Sequence, residues 1–318
     1  MHINVKKSVF ISIIISAVVY LGFTIYADFD KVVESFVQFN WLWFPVVLLL
    51  SFGNYVVRFL KWDYYLKILN IPVKTKDSFL IFMSGLIMSV TPGKMGELLK
   101  SYLVKETAGE PISKTAPIIF AERITDFISL VFLTLIGAFI FNIGREITIG
   151  VGIFFIGLCI IIGNKRLSEK IIAVFCKAKF IGKYMEKISE AYESSYIMLR
   201  AKPLLLMTAL SAGSWFFECF GYYLILINFG AEVNLFYAAF VYTFSTIAGA
   251  ITMLPGGLGA TEGTLTFLIM RVNVPAAIAV SSTFLIRVAT LWFAIIVGII
   301  SASLYQRRFG KGAISNSN

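Results

Sequence analysis

Charge is what this sequence has least of. Only 14% of its 318 residues are Asp, Glu, Lys or Arg, while 58% are hydrophobic. Soluble domains carry roughly a quarter charged residues, and long uncharged apolar runs mark membrane spans, so a soluble globule is excluded at the outset. Histidine is nearly missing: His2 is the single one, which leaves a histidine general base or a histidine-ligated metal without its residue. The cysteines Cys159, Cys176 and Cys219 have no paired spacing, so neither a disulfide framework nor a zinc site is indicated. No nucleotide-binding signature appears. Nothing in the sequence calls for a cofactor, a metal ion or a catalytic residue.

The charge that is present is mostly positive, with a net value of +10. Such an excess can mark a nucleic-acid binder, but here the lysines and arginines lie between apolar segments, where they set membrane orientation. Apolar runs of about 20 residues, the length of one span, fall near 8–27, 41–60, 113–141, 146–163, 203–229 and 274–305. The first follows Lys6 and Lys7 like a signal sequence, yet lacks a convincing cleavage site and is read as a retained span. With the N-terminus inside, loop 28–40 is external and acidic. Lys61, Lys67, Lys74, Lys76, Lys100, Lys105, Lys114, the basic segment 164–202 and Arg307, Arg308 and Lys311 are then all cytoplasmic. Lys31, Arg145 and Arg271 remain outside, and Lys94, Arg123 and Arg287 fall inside the membrane. Both termini are expected in the cytoplasm and the chain in the plasma membrane.

Two further apolar segments, 78–91 and 235–254, each run into a Pro-Gly-x-x-Gly break: Pro92, Gly93 and Gly96 in one, Pro255, Gly256 and Gly259 in the other. The first has too few residues before Pro92 to cross a core about 30 Å thick at 1.5 Å per residue. Lysines on both sides of it make 78–105 a re-entrant hairpin from the cytoplasm, and the second break makes a hairpin from the outside. Pro92 and Pro255 align at one offset, and Pro111, Phe120 and Arg123 align with Pro275, Phe284 and Arg287 at nearly the same one. Three spans separate equivalent points, so the second copy is inverted. The expectation is an all-α polytopic membrane protein of one domain, with about six full spans and two re-entrant hairpins in an inverted repeat. Repeat 1 covers about 41–141, an amphipathic connector 164–202, and repeat 2 about 203–305. Inverted repeats with broken helices are a transporter pattern, with the site at the repeat interface.

Broken backbone at membrane depth is tolerated only where it is buried in protein or lines a wet cavity. After Pro92-Gly93 the first amides of a new half-helix, beside Lys94, suit an anion such as a phosphate. Glu97 either caps those amides or pairs with Lys94 or Lys100. The second break offers Gly257, Gly259 and Glu262 but no lysine. Glu122, Arg123 and Asp126 share a span, Glu122 and Asp126 four apart on one face and Arg123 within reach of Asp126. Glu218 and Arg287 are lone charges in theirs. Intramembrane charges usually face the protein interior and mark a pathway. The plainer reading is glue between helices, with Arg123–Asp126 and Arg287–Glu262 as buried pairs and Glu218 held by a hydroxyl or a backbone group.

The strings TPGKMGELLKSYLV at 91–104, AERITD at 121–126 and LPGGLGATEG at 254–263 resemble the motifs of the lysylphosphatidylglycerol synthase transmembrane family. The resemblance implies a lipid-translocating module over about 8–305. It carries over Pro92, Gly93, Lys94, Gly96, Glu97, Arg123, Asp126, Pro255, Gly256, Gly257, Gly259 and Glu262. Some relatives carry a fused aminoacyl-transferase domain, while others stand alone or accompany lipid-linked glycan synthesis. The sequence ends at 318 with no room for that domain, so aminoacylation is not expected. The expected partners are membrane lipids with anionic headgroups. A scaffold for a transferase or glycosyltransferase, docked on 164–202, and a membrane-embedded transferase stand as alternatives; nucleic acid does not.

Overall fold

The structure, a computed structural model, describes residues 5–91, 96–166, 168 and 185–310. Pro92, Gly93 and Lys94, much of the connector, Cys176 and the tail from 311 lie outside the described residues. Among the described residues there is no strand, and five helices are long and apolar enough to cross a membrane. The pair α1 (Val5–Tyr26) and α2 (Phe29–Gln38), bent by 98°, brings the number to six if the two are counted as one broken span. The chain is an all-α polytopic membrane protein.

Segment 28–40, read from the sequence as a loop, is α2, an amphipathic helix whose Val32 and Ser35 are buried. One 3₁₀ turn, Trp41–Trp43, is opened by the Asn40 side chain accepting from the Leu42 amide, and it leads into α3 (Phe44–Ile68). Then come α4 (Thr75–Gly85), its 3₁₀ extension Leu86–Val90, α5 (Leu99–Ala108) and α6 (Ile112–Phe141). α7 (Arg145–Gly163) and α8 (Met185–Met198) follow. The second half comprises α9 (Ala201–Asn228), α10 (Leu235–Ile251), α11 (Ala260–Met270) and a last span Ala276–Phe309. That span is α12 (Ala276–Arg287), a π-helical turn Val288–Trp292 and α13 (Phe293–Phe309). Pro111 and Pro275, which donate no amide hydrogen, sit at the start of α6 and α12.

Both halves thus run span, hairpin, span, and their packing follows the same rule. α3 lies along α9; α4 of the first hairpin packs on α13, and α10 of the second packs on α6. Close approach at those crossings needs glycine: a Cβ on Gly137 would stand 2.3 Å from Phe240, and one on Gly298 2.4 Å from the Ile87 amide nitrogen.

Side-chain bonds fix which end of the bundle each hairpin occupies. At one end Arg308 of α13 pairs with Asp77 of α4 at 2.8 Å, and Thr107 of α5 bonds the Tyr305 hydroxyl. Both feet of the first hairpin therefore stand beside the end of the last span. At the opposite end Asn228, closing α9, bonds Asn40, which precedes α3. The Tyr237 hydroxyl near the start of α10 donates to the Leu268 carbonyl near the end of α11 at 2.6 Å, bringing the feet of the second hairpin together.

Candidate functional site

The charged residues of α3, α5 and α6 meet inside the bundle. α3 runs eight residues past the span boundary read from the sequence, because Trp62, Tyr65 and Leu66 continue its buried face. Lys61 is consequently not a loop lysine: it is 1% exposed, and its ammonium lies 2.7 Å from Asp126 Oδ1 and bonds the Ser211 hydroxyl of α9. Lys100 is likewise no cytoplasmic surface charge, since its ammonium is buried 2.6 Å from Glu122 Oε2 and stacks over Trp62 and Phe82. Lys74, Lys76 and Lys105 remain exposed. Arg58, one turn before Lys61, points its guanidinium at Asp126 Oδ2 from 3.7 Å.

Arg123 of α6 links the first hairpin to this cluster. Its Nη2 lies 3.1 Å from Glu97 Oε2 and 3.6 Å from Asp126 Oδ2. Glu97 also faces Lys100 at 3.6 Å, so of the pairings expected for Glu97 the one with Lys100 is present. Arg123 Nε and Asp126 Oδ2 are buried without a hydrogen-bond partner, which leaves bonding capacity at this point. On the helical rise, Arg58 and Asp126 each lie about 21 Å from the start of their helices, mid-depth for a core about 30 Å thick. A lone charge there costs ~2.5–3.5 kcal/mol on insertion scales, which is why every one of them has an opposite charge nearby.

The second break is resolved throughout. Gly256, Gly257 and Gly259 take φ of 60°, 67° and 86°, a region that side chains with a Cβ enter at a steric cost, and they reverse the chain between α10 and α11. Glu262 fixes the new half-helix: one carboxylate oxygen accepts the Gly259 amide at 2.7 Å, and the other accepts Arg287 Nε at 2.6 Å. Arg287 Nη2 donates to the Gly256 carbonyl at 2.6 Å, tying the turn to α12. Glu218 of α9 accepts from the Tyr242 hydroxyl at 2.6 Å, so of the two kinds of partner expected for it a hydroxyl is present. Tyr55 donates to the Thr290 carbonyl at 2.6 Å, within the π-helical turn where the backbone ladder is widened.

The half-helix amides are less available than the sequence implied. The Gly96 amide is accepted by the Thr91 hydroxyl at 2.9 Å, and the Gly259 amide by Glu262. What faces open space is side-chain charge. A cavity of about 560 Å³ lies between the hairpins, with Leu86 and Ser89 of the first hairpin on one wall and Gly256, Gly257 and Thr261 of the second on another. Arg58, Arg123, Asp126, Glu218 and Arg287 give it its polar lining. Glu97 and Glu262 stand behind Arg123 and Arg287 as their partners, and Glu122 holds Lys100. Among the described residues no group of His, Cys, Asp and Glu is placed to hold a metal ion.

Arg58 and Lys61 are not expected in this cluster from the sequence, and Lys100 is expected there only as a partner of Glu97. Asn54, Arg58, Lys61 and Tyr65 recur at helical spacing along one face of α3, so tracing polar rather than apolar periodicity would have found the first two.

Fold and site together define a class: an all-helical, multi-pass membrane protein with buried ion pairs around a cavity between two broken hairpins. Over residues 9–298 the sequence matches the model described as the lysylphosphatidylglycerol synthase TM region, and the chain belongs to that family. It is 25% identical to a UPF0104 membrane protein of Methanocaldococcus jannaschii over 98% of both chains. Similar proteins include a UPF0104 membrane protein of Methanothermobacter thermautotrophicus, 23% identical over 92% of both chains. Another, from Pyrococcus horikoshii, is 24% identical over 91% of this chain and 95% of its own.

Proposed function

We propose that the protein is a lipid translocase of the plasma membrane, moving a lipid with an anionic headgroup between leaflets. The observation that carries this reading is the cavity between the hairpins, where Arg58, Arg123 and Arg287, with Asp126 and Glu218, line space inside the bundle. Guanidinium groups suit phosphate because they present several donors in a fixed plane and stay charged. The hairpins are re-entrant on this reading, each standing on one membrane face, and both termini are cytoplasmic. The feet of the first hairpin beside the C-terminal end of α13 support that arrangement. So does the exchanged packing, α4 on α13 and α10 on α6, which is the pattern of an inverted repeat.

In the cycle, Lys94 and the first break receive the headgroup from the cytoplasmic side, and Arg287 with Glu262 serve the outward half. Rocking of one repeat against the other alternates access. The substrate is a modified phospholipid or a polyprenyl-phosphate-linked glycan.

The experiment is translocation of fluorescent phosphatidylglycerol in proteoliposomes, read by quenching of the outer leaflet. Lys94→Ala and Arg58→Gln should abolish transport while the purified variants remain folded. Wild-type rates in both variants would refute the reading.

A further inference from the structure

We propose that the gap between α7 and the turn of the second hairpin is a lateral portal, through which the hydrocarbon chains of the lipid remain in the bilayer while its anionic headgroup sits in the cavity. This rests on the translocase reading and assigns the part of the site that the chains use.

α7 packs along α6 and reaches α8, and its remaining face is apolar and open. Phe154 on that face lines the cavity yet is 61% exposed. Across from it, Met253 and Leu254 at the second turn also line the cavity and are 70% and 46% exposed. A residue that is both cavity wall and outer surface marks a mouth. This mouth is apolar on both lips, whereas the arginines lie within. A hydrated ion such as free phosphate would have to shed its water to cross such a rim, but a hydrocarbon chain would not.

Gly150 supports the assignment independently. Glycine weakens a helix interior, and packing gives no reason for one here: a Cβ at Gly150 would meet nothing within 4 Å, although the residue lines the cavity. The open space is where a chain would pass. Gly150 lies about 8 Å along α7 from Arg145 on the helical rise, the end read as external. On that reading of the topology the portal opens toward the outer leaflet.

The test places the full chain in nanodiscs containing phosphatidylglycerol with a diazirine at the top of one acyl chain. After photolysis, labelling is read at Tyr242 and Thr290, which line the cavity and are buried from bulk lipid. Wild type should label at both. Gly150→Trp should reduce labelling to background by filling the gap, and Leu254→Trp, on the other lip, should do the same. Gly157→Trp is the control: it is equally open, on the same helix and outside the cavity lining, and should label as wild type. Absent labelling in wild type, or undiminished labelling in both lip variants, overturns the portal. A diacylglycerol bearing the same chain should label neither residue, and equal labelling by it overturns the coupling of chain to anionic headgroup. Transport is not read in this experiment. A wild type that labels as expected but moves no lipid would refute the translocase reading and leave the portal standing.

Discussion

In the first hairpin Glu97 reaches Arg123 of the next span, and in the second Glu262 reaches Arg287 of the next span. From that shared pair the halves diverge. Around Glu97–Arg123 stand Arg58, Lys61, Lys100, Glu122 and Asp126, a network in which each charge has more than one neighbour of opposite sign or is shared between helices. Around Glu262–Arg287 the polar work falls to backbone groups, the Gly259 amide and the Gly256 carbonyl. One half spreads charge across three helices; the other concentrates it on a single pair that also shapes the turn. The difference teaches that two copies of a motif can keep their frame while one becomes a charge reservoir and the other a latch.

Substitutions can break that contrast. The largest effect is expected at Asp126, which faces three cations. Asp126→Leu leaves Lys61 and Arg58 buried without their carboxylate and should cost ~3–5 kcal/mol, read as a lowered thermal midpoint of the purified protein. Adding Lys61→Met should restore much of the loss; a double variant no better than the single would break the network account. Next comes the comparison of equivalent glutamates. Glu262→Ala removes a helix cap and the carboxylate partner of Arg287 together and should cost about 3 kcal/mol. Glu97→Ala should cost only about 1–2 kcal/mol, because Arg123 keeps Asp126 and Lys100 keeps Glu122. The reverse order in the same melting assay would contradict the distinction between network and latch. Gly259→Ala should cost about 1–2 kcal/mol through its positive φ alone, leaving the Glu262–Arg287 pair in place. Smallest is Tyr55→Phe, which removes one hydrogen bond to the π-helical turn and should cost about 1 kcal/mol. No change in melting there would show that the Thr290 carbonyl finds another partner.

Much of this arrangement was legible in the sequence, for physical reasons that can be named. Spans such as 113–141 announce themselves because lipid permits only long apolar helices. The two breaks stand out because Pro-Gly at such depth has no ordinary place in a helix. The pair Arg287–Glu262 was foreseen from the cost of lone charges. Helix α2 was not legible, since ten residues with Asp30, Lys31 and Glu34 look like a loop unless the buried face of Val32 and Ser35 is already known. Lys61 and Lys100 were misplaced because topology rules count any lysine near a span end as a surface charge. Only the folded bundle shows that Asp126 and Glu122 stand opposite them. The cavity, which comes from helices distant in sequence, left no local signal.

The central claim is that the space between the hairpins holds an anionic headgroup. Electron cryomicroscopy of the protein in nanodiscs of phosphatidylglycerol tests it most directly. The account predicts headgroup density bounded by Arg58, Arg123 and Arg287, with chain density leaving between Phe154 and Leu254. Lipid confined to the outer perimeter, with the arginines facing only water, would contradict it.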